Sequence, residues 1–134
     1  MFPELPSVRR LVDRSRAIFG SIFGTDDPAY AETNLAPDLS KTTAKRARRT
    51  IESDDGIRHA WHGVLEEIAL DLAEMYGDRL RLRIVPSRES MLSPIGMPLR
   101  AHRDTWGSGV MAQVNWWLPL YPLEPSRTML VWPD

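Results

Sequence analysis

The chain has 134 residues, a net charge of −1 at pH 7, 43% hydrophobic and 26% charged residues, and no cysteine. This length accommodates one domain with one hydrophobic core, and the composition is ordinary for a globular protein. The lack of cysteine excludes disulfides, thiolate-bound zinc, iron–sulfur clusters and a cysteine nucleophile. Any metal must therefore be held by His, Asp, Glu or backbone oxygen.

The N-terminal region carries charges at short intervals, at Glu4, Arg9, Arg10 and Asp13, which a signal peptide would not have. No stretch approaches the ~20 apolar residues that a membrane-spanning helix requires. We therefore predict a cytoplasmic protein without a membrane partner. The sequence does not indicate an oligomeric state.

Three helices are predicted in the first 79 residues, the first and the third of them from apolar residues at helical spacing. The first covers residues 7–23, with Ser7 as a candidate N-cap and Gly24 as the stop signal. A short basic helix is predicted at 40–50. The third and strongest pattern predicts a helix from 54 or 55 to about 76, with one apolar side.

The predicted basic helix contains the positive cluster of the chain, which consists of Lys41, Lys45, Arg46, Arg48 and Arg49. A contact with DNA or RNA is one interpretation of such a cluster. No aromatic residue is interleaved with the basic ones, and the overall charge is slightly negative. We therefore predict a solvated helix face and no nucleic-acid partner.

On the third predicted helix, His59, His62 and Glu66 share the polar side. Their spacing would allow them to meet a metal ion at the surface. The HExxH signature of zinc proteases is not present, and we interpret the three residues as exposed polar side chains.

The pattern changes from helical to alternating after Gly77. Leu80, Leu82 and Ile84 alternate with arginines, which predicts a half-buried strand. Further strands are predicted at 99–105, 110–120 and 128–132, separated by glycine and proline turns. The predicted fold class is therefore α+β. Its helical region at 1–79 would pack on an incomplete antiparallel double-stranded β-helix of jelly-roll or cupin type at 80–134.

His102 and Asp104 in the second predicted strand are the residues best suited to chemistry. Residues two apart on a strand project from the same face, so the two side chains would converge. An imidazole and a carboxylate form two thirds of a 2-His-1-carboxylate triad, which binds Fe(II) and leaves positions open for oxygen and a co-substrate. On its own His-x-Asp is a weak signal, because such pairs are common in surface strands and turns.

Gln113, Asn115 and Trp117 share one face of the next predicted strand. Two amides beside an aromatic ring are typical of a pocket for a polar ligand. An ordinary amphipathic strand with one wet face explains the same pattern equally well.

The run from Pro98 to Pro133 resembles the phytanoyl-CoA dioxygenase-like branch of the Fe(II)/2-oxoglutarate oxygenases. The resemblance implies an enzyme in which His102 and Asp104 bind iron as catalytic metal ligands. It also implies that Gln113, Asn115 and Trp117 line the site of the co-substrate 2-oxoglutarate, next to a small-molecule substrate. The turn at 123–127 departs from the family, which usually has Asn-Gly where this chain has Ser-Arg.

The family also uses a second iron-binding His and a 2-oxoglutarate-binding Arg further downstream. In this chain no His follows His102, and Arg127 is the only Arg after Arg103. We therefore expect a truncated oxygenase with negligible activity alone, or else a half-domain that another chain completes.

Two other classes of function remain open from the sequence. One is a non-catalytic β-sandwich or cupin-like module that binds a small molecule or a protein. The other is a helical interaction protein that acts through the basic segment near Arg46, for which salt-sensitive nucleic-acid binding would be the sign. A serine hydrolase is poorly supported, because Ser108 has no free His as a base and G-x-S-x-G is absent.

Overall fold

The computed structural model describes residues 5–27, 30–31, 37–74, 76, 80–84 and 114–124. The three helices of this part of the chain are α1 (Pro6–Phe23), α2 (Pro37–Ser53) and α3 (Asp55–Glu67). A short 3-10 turn follows at Leu72–Glu74. The chain divides into two compact units, Met1–Val85 and Pro86–Asp134, and the first contains all three helices. None of the helices in the described ranges is both long and apolar enough to span a bilayer.

The predicted α+β fold is wrong for the part of the chain that the structure describes. These residues form helices and no strand, so they contain neither a jelly roll nor a cupin-like sheet. Residues 80–84 and 114–119 were both expected in strands, and neither has regular secondary structure. The strands predicted at 99–105 and 128–132 lie outside the described residues. The division at residue 79 stays a prediction.

Residues 80–84 show why the alternating pattern was misleading. The three apolar side chains of this segment are half-buried and its two arginines are exposed, as expected for a strand. Leu80 and Leu82, however, pack against the core of the helical unit. The Leu82 carbonyl accepts a hydrogen bond from Nε of Arg48 in α2, at 3.1 Å. An extended segment that lies along a helix has the same period of two as a strand, so the alternation alone could not separate them.

The ends of α1 differ in how well the sequence predicts them. Leu5 occupies the N-cap position without a side-chain cap, and Pro6 takes the first helical position, where its missing N–H is harmless. Ser7, the predicted N-cap, lies instead inside the first turn and is fully buried. Gly24 ends the helix with a φ of 72°, and its N–H donates to the Gly20 carbonyl at 2.9 Å. The predicted stop at Gly24 is therefore confirmed.

The start of α3 agrees with the sequence pattern. The Asp54 carboxylate accepts a hydrogen bond from the Ile57 N–H at 2.9 Å, which makes Asp54 the N-cap. The helix buries Ile57, Ala60 and Val64 on one side.

The end of α3 comes well before the predicted end near residue 76. Ala69 has a φ of 56°, in the left-handed region that glycine usually occupies. The Leu70 N–H donates to the Leu65 carbonyl at 3.1 Å, and the Ala69 N–H donates to the Glu66 carbonyl at 3.0 Å. These two bonds form a Schellman motif, which satisfies the last carbonyls of the helix.

The core of the helical unit is small. Its central cluster of buried residues comes from all three helices and consists of Leu11, Ile51, Ile57 and Ala60. Partly buried apolar side chains surround it, namely Ile18, Trp61, Leu80 and Leu82. With so few large buried side chains, we expect stability to depend strongly on how closely the helices approach each other.

Helices α1 and α3 run antiparallel, and glycine allows their close approach. Ser7 near the start of α1 faces Gly63 near the end of α3, while Arg14 further along α1 faces Gly56. A Cβ atom at position 63 would overlap Ser7 Oγ and lie 3.2 Å from Ser7 Cβ. A Cβ atom at position 56 would lie 2.8 Å from Arg14 Cδ.

We predict that Gly63→Ala destabilises the protein although alanine is the better helix former. Alanine gains about 1 kcal/mol of helix propensity, whereas overpacking costs about 1–3 kcal/mol. Ser7 cannot move aside cheaply, because its hydroxyl is hydrogen-bonded to Glu67. We expect a net loss of about 1 kcal/mol in the free energy of unfolding by urea. Gly20→Ala is the control, since its nearest new contact is an ordinary one at 3.8 Å. A more stable Gly63→Ala protein would contradict the close packing.

Candidate functional site

Three of the five predicted site residues, His102, Asp104 and Gln113, lie outside the described residues. The other two, Asn115 and Trp117, are exposed and belong to a stretch without regular secondary structure. The ring of Trp117 is about half accessible, with 47% of its surface exposed. The roles of all five residues in binding iron or 2-oxoglutarate stay predictions.

The described helices carry no candidate metal centre. Among the residues that the structure describes, no three His, Asp or Glu side chains are grouped so that they could hold a metal ion. His59, His62 and Glu66 on α3 are all exposed, which confirms their interpretation as surface residues.

A shallow open groove of about 540 Å³ runs between α1 and α3. Its lining combines charged and small residues, namely Arg10, Asp13, Arg14, Gly56, His59 and Ala60. The two glycine-mediated close approaches bring these side chains together. Clustered ionisable groups are typical of functional sites, so the groove is the candidate site within the helical unit.

Arg14 and Asp54 form the best-defined ion pair beside the groove. Arg14 Nε and Nη2 donate to the two carboxylate oxygens at 2.6 and 2.8 Å, so the pair is bidentate. The hydrogen bond from Arg14 is the main reason that the pKa of Asp54 lies below its usual range. The same contact raises the pKa of Arg14. Asp54 therefore both caps α3 and joins it to α1.

Glu67 at the end of α3 likewise caps the start of α1 and joins the two helices. Its carboxylate accepts the Ser7 hydroxyl at 2.7 Å and the Ser7 backbone N–H at 3.1 and 3.2 Å. Arg10 donates to the Ser7 hydroxyl and lies 3.8 Å from Glu67. Glu67 thus satisfies an N–H that the first turn of α1 leaves without an intrahelical partner. A carboxylate is also the favourable charge at this helix end.

The charged side chains that line the groove make structural contacts. Arg10 and Arg14 each face a carboxylate of α3 or of its cap, and Asp13 pairs with Arg9 at 3.9 Å. The charges that line it are therefore largely balanced.

Sequence reasoning missed the Ser7–Glu67 and Arg14–Asp54 contacts. Their separations of 60 and 40 residues give no local signal. Ser7 lies on the same side of the predicted helix as Leu11, and this was the available hint that a polar contact would form there.

The segment 114–124 in the second unit exposes several large apolar side chains. They are Val114, Trp116, Trp117, Leu118 and Leu123. Scattered exposed apolar residues are normal, but five within ten positions form a concentration that is typical of contact surfaces.

We predict that Glu67→Ala destabilises the helical unit, because it leaves the buried Ser7 N–H and hydroxyl without their acceptor. The side chain of Glu67 is 26% exposed, so solvent screens part of the effect. We expect a loss of about 1–2 kcal/mol in the free energy of unfolding. Glu66→Ala is the matched control on the exposed side of the same turn, with an expected change within about 0.5 kcal/mol. Equal effects of the two substitutions would contradict the proposed capping.

We predict that Asp54 makes the protein less stable in acid. Because its pKa is lowered in the folded state, its contribution is present above the unfolded pKa and is lost as the pH falls through the folded pKa. Asp54→Asn keeps a capping oxygen but loses the charge. The stability difference between wild type and Asp54→Asn should therefore be largest near neutral pH and vanish in strong acid.

Urea unfolding at several pH values measures this difference. Asp55→Asn is the control, since Asp55 and its partner Arg58 are both exposed and such pairs contribute little. A difference between wild type and Asp54→Asn that is independent of pH would contradict the role of the Arg14–Asp54 pair.

Comparison of the chain with protein-family profiles, with curated proteins and with solved structures gave no match.

Proposed function

We propose that the chain carries part of a non-haem Fe(II)/2-oxoglutarate-dependent oxygenase site, in a cytoplasmic enzyme that hydroxylates a small molecule. The observation that carries the proposal is the His102-x-Asp104 spacing, followed by the amide and aromatic residues Gln113, Asn115 and Trp117. Nitrogen and oxygen ligands without thiolate suit ferrous iron. The jelly-roll fold is not part of the proposal.

His102 and Asp104 need only a short stretch of extended backbone to act as ligands of one metal ion. An extended backbone over three residues is enough to project His102 and Asp104 to the same side. The neutral imidazole would supply nitrogen, and the carboxylate would offset part of the cation's charge. Asn115 and Trp117 are exposed, which is compatible with contact to a bound co-substrate.

Fe(II) together with 2-oxoglutarate and O2 would supply, when bound, the chemistry for hydroxylation of a C–H bond, with O2 as the oxidant. The chain's own share is to hold the metal in a fixed geometry and to orient the co-substrate. Since no His follows His102, this chain offers two of the three usual protein ligands. We therefore expect weak metal binding and negligible turnover by the chain alone.

A second candidate function is a non-catalytic binding module. The exposed apolar side chains of segment 114–124 favour it, because such a concentration is typical of protein–protein contact sites. In this interpretation His102 and Asp104 are ordinary polar residues without a shared metal ion.

We predict that the chain binds about one Fe(II) per molecule through His102 and Asp104. Anaerobic calorimetric titration of the whole chain measures the stoichiometry and the affinity. In the double variant His102→Ala, Asp104→Ala we expect the binding to disappear. Addition of 2-oxoglutarate should tighten the binding of iron to the wild-type chain, because the keto acid occupies coordination positions that water otherwise fills.

The control must separate this site from adventitious binding by histidine. His59→Ala, His62→Ala removes the other two histidines of the chain, both exposed on α3. This variant should bind iron as the wild type does. Binding that survives the first double variant, or that disappears in the second, would exclude the proposed site and favour the binding module.

A further inference from the structure

The exposed side of α2 is strongly basic. Lys45, Arg48 and Arg49 are exposed, whereas Ala47 and Ile51 on the other side of the helix are buried. At 3.6 residues per turn the three basic residues fall within about 100° of one another around the helix axis.

The segment 80–84 brings further arginines to the same surface. The hydrogen bond from Arg48 Nε to the Leu82 carbonyl joins residues 34 positions apart and places the segment beside α2. Leu82 packs inward on the core, while Arg81 and Arg83, its neighbours on either side, are exposed. We refer to the residues Lys45, Arg46, Arg48, Arg49, Arg81 and Arg83 together as the basic face.

Four of the six cations of the basic face have no carboxylate partner among the residues that the structure describes. In the described ranges Lys45, Arg46, Arg49 and Arg83 take part in no ion pair. This contrasts with the groove between α1 and α3, where each arginine has a carboxylate partner. Glu52 is the single acidic residue from 42 to 53, and it is exposed one turn after Arg48 and Arg49 on the same side of α2, so this side carries one carboxylate among its cations. The net charge of −1 for the whole chain thus hides a local excess of cations.

We propose that the basic face binds the phosphate backbone of duplex DNA. Clustered, exposed Lys and Arg side chains neutralise phosphates and release condensed counterions, which is the main source of sequence-independent affinity. Guanidinium groups also match phosphate oxygens geometrically, and most of the cations of the basic face are arginines.

Three features favour duplex DNA over other polyanions. The segments 42–53 and 80–84 that carry the basic face contain no aromatic residue, so they lack the stacking platform that single strands use. Ala47 and Ile51 on the apolar side of α2 are buried, so this described part of the helix does not offer them to a membrane surface. A helix with one exposed side fits the wide major groove of B-form DNA, whereas the major groove of duplex RNA is too narrow.

Fluorescence anisotropy of the whole chain with a labelled DNA duplex of about 20 base pairs and arbitrary sequence tests the proposal. With about four phosphate contacts, the logarithm of the association constant should fall against the logarithm of salt concentration with a slope near −3.6. The variant Lys45→Gln, Arg49→Gln removes two exposed cations. It should weaken binding by about tenfold or more at low salt and make the slope shallower by about 2.

The control variant Arg9→Gln, Arg58→Gln removes the same number of charges from exposed positions on α1 and α3. It should leave the affinity and the salt slope unchanged, and circular dichroism should show the same helix content in both variants. Equal weakening by the two variants, absence of binding at low salt, or tighter binding to single-stranded DNA, to duplex RNA or to anionic lipid vesicles would overturn the proposal. None of these outcomes depends on the iron site.

Discussion

The close contact between α1 and α3 is the constraint on which the helical unit depends. Ser7 and Gly63 bring the two helices so near that no side chain fits between them. The few buried apolar residues, such as Leu11 and Ile57, would make a weak core at a larger separation. Close packing of this kind also buries a hydroxyl and an amide, so Glu67 must supply their acceptor. The two helices can therefore pack closely only if the buried hydroxyl and amide of Ser7 also have a hydrogen-bond acceptor.

The charged residues of the helical unit divide into two groups with different tasks. Arginines at the contact between α1 and α3, such as Arg14, are paired with carboxylates and connect elements that are distant in sequence. Lys45, Arg46 and Arg49 on the outer side of α2, and Arg83 in the segment 80–84, form no ion pair among the described residues. A net charge computed for the whole chain averages over both groups, which is why it gave no sign of a basic surface.

Apolar spacing predicted α1 and α3, and Gly24 and Asp54 marked the end of the first and the start of the second, because these signals are local. The end of α3 was missed because the apolar pattern continues past Ala69, whose left-handed backbone leaves no mark on the spacing. The prediction of a strand at 80–84 was wrong because an alternation with a period of two does not show whether the segment packs against another strand or against a helix. For the candidate site, the His-x-Asp spacing indicates two metal ligands on one side of an extended segment. Whether the two side chains share a metal depends on distances in the folded chain, which the spacing does not give.

The bond between Ser7 and Glu67 spans 60 residues, and this has a consequence for the order of folding during synthesis. The first turn of α1 leaves the ribosome long before its acceptor exists. Most of the stability of an amphipathic helix in a protein comes from tertiary packing, so α1 should gain lasting structure only once the whole of α3 has emerged. The first and third helices are thus expected to form as one cooperative step on the nascent chain, late in the production of the helical unit.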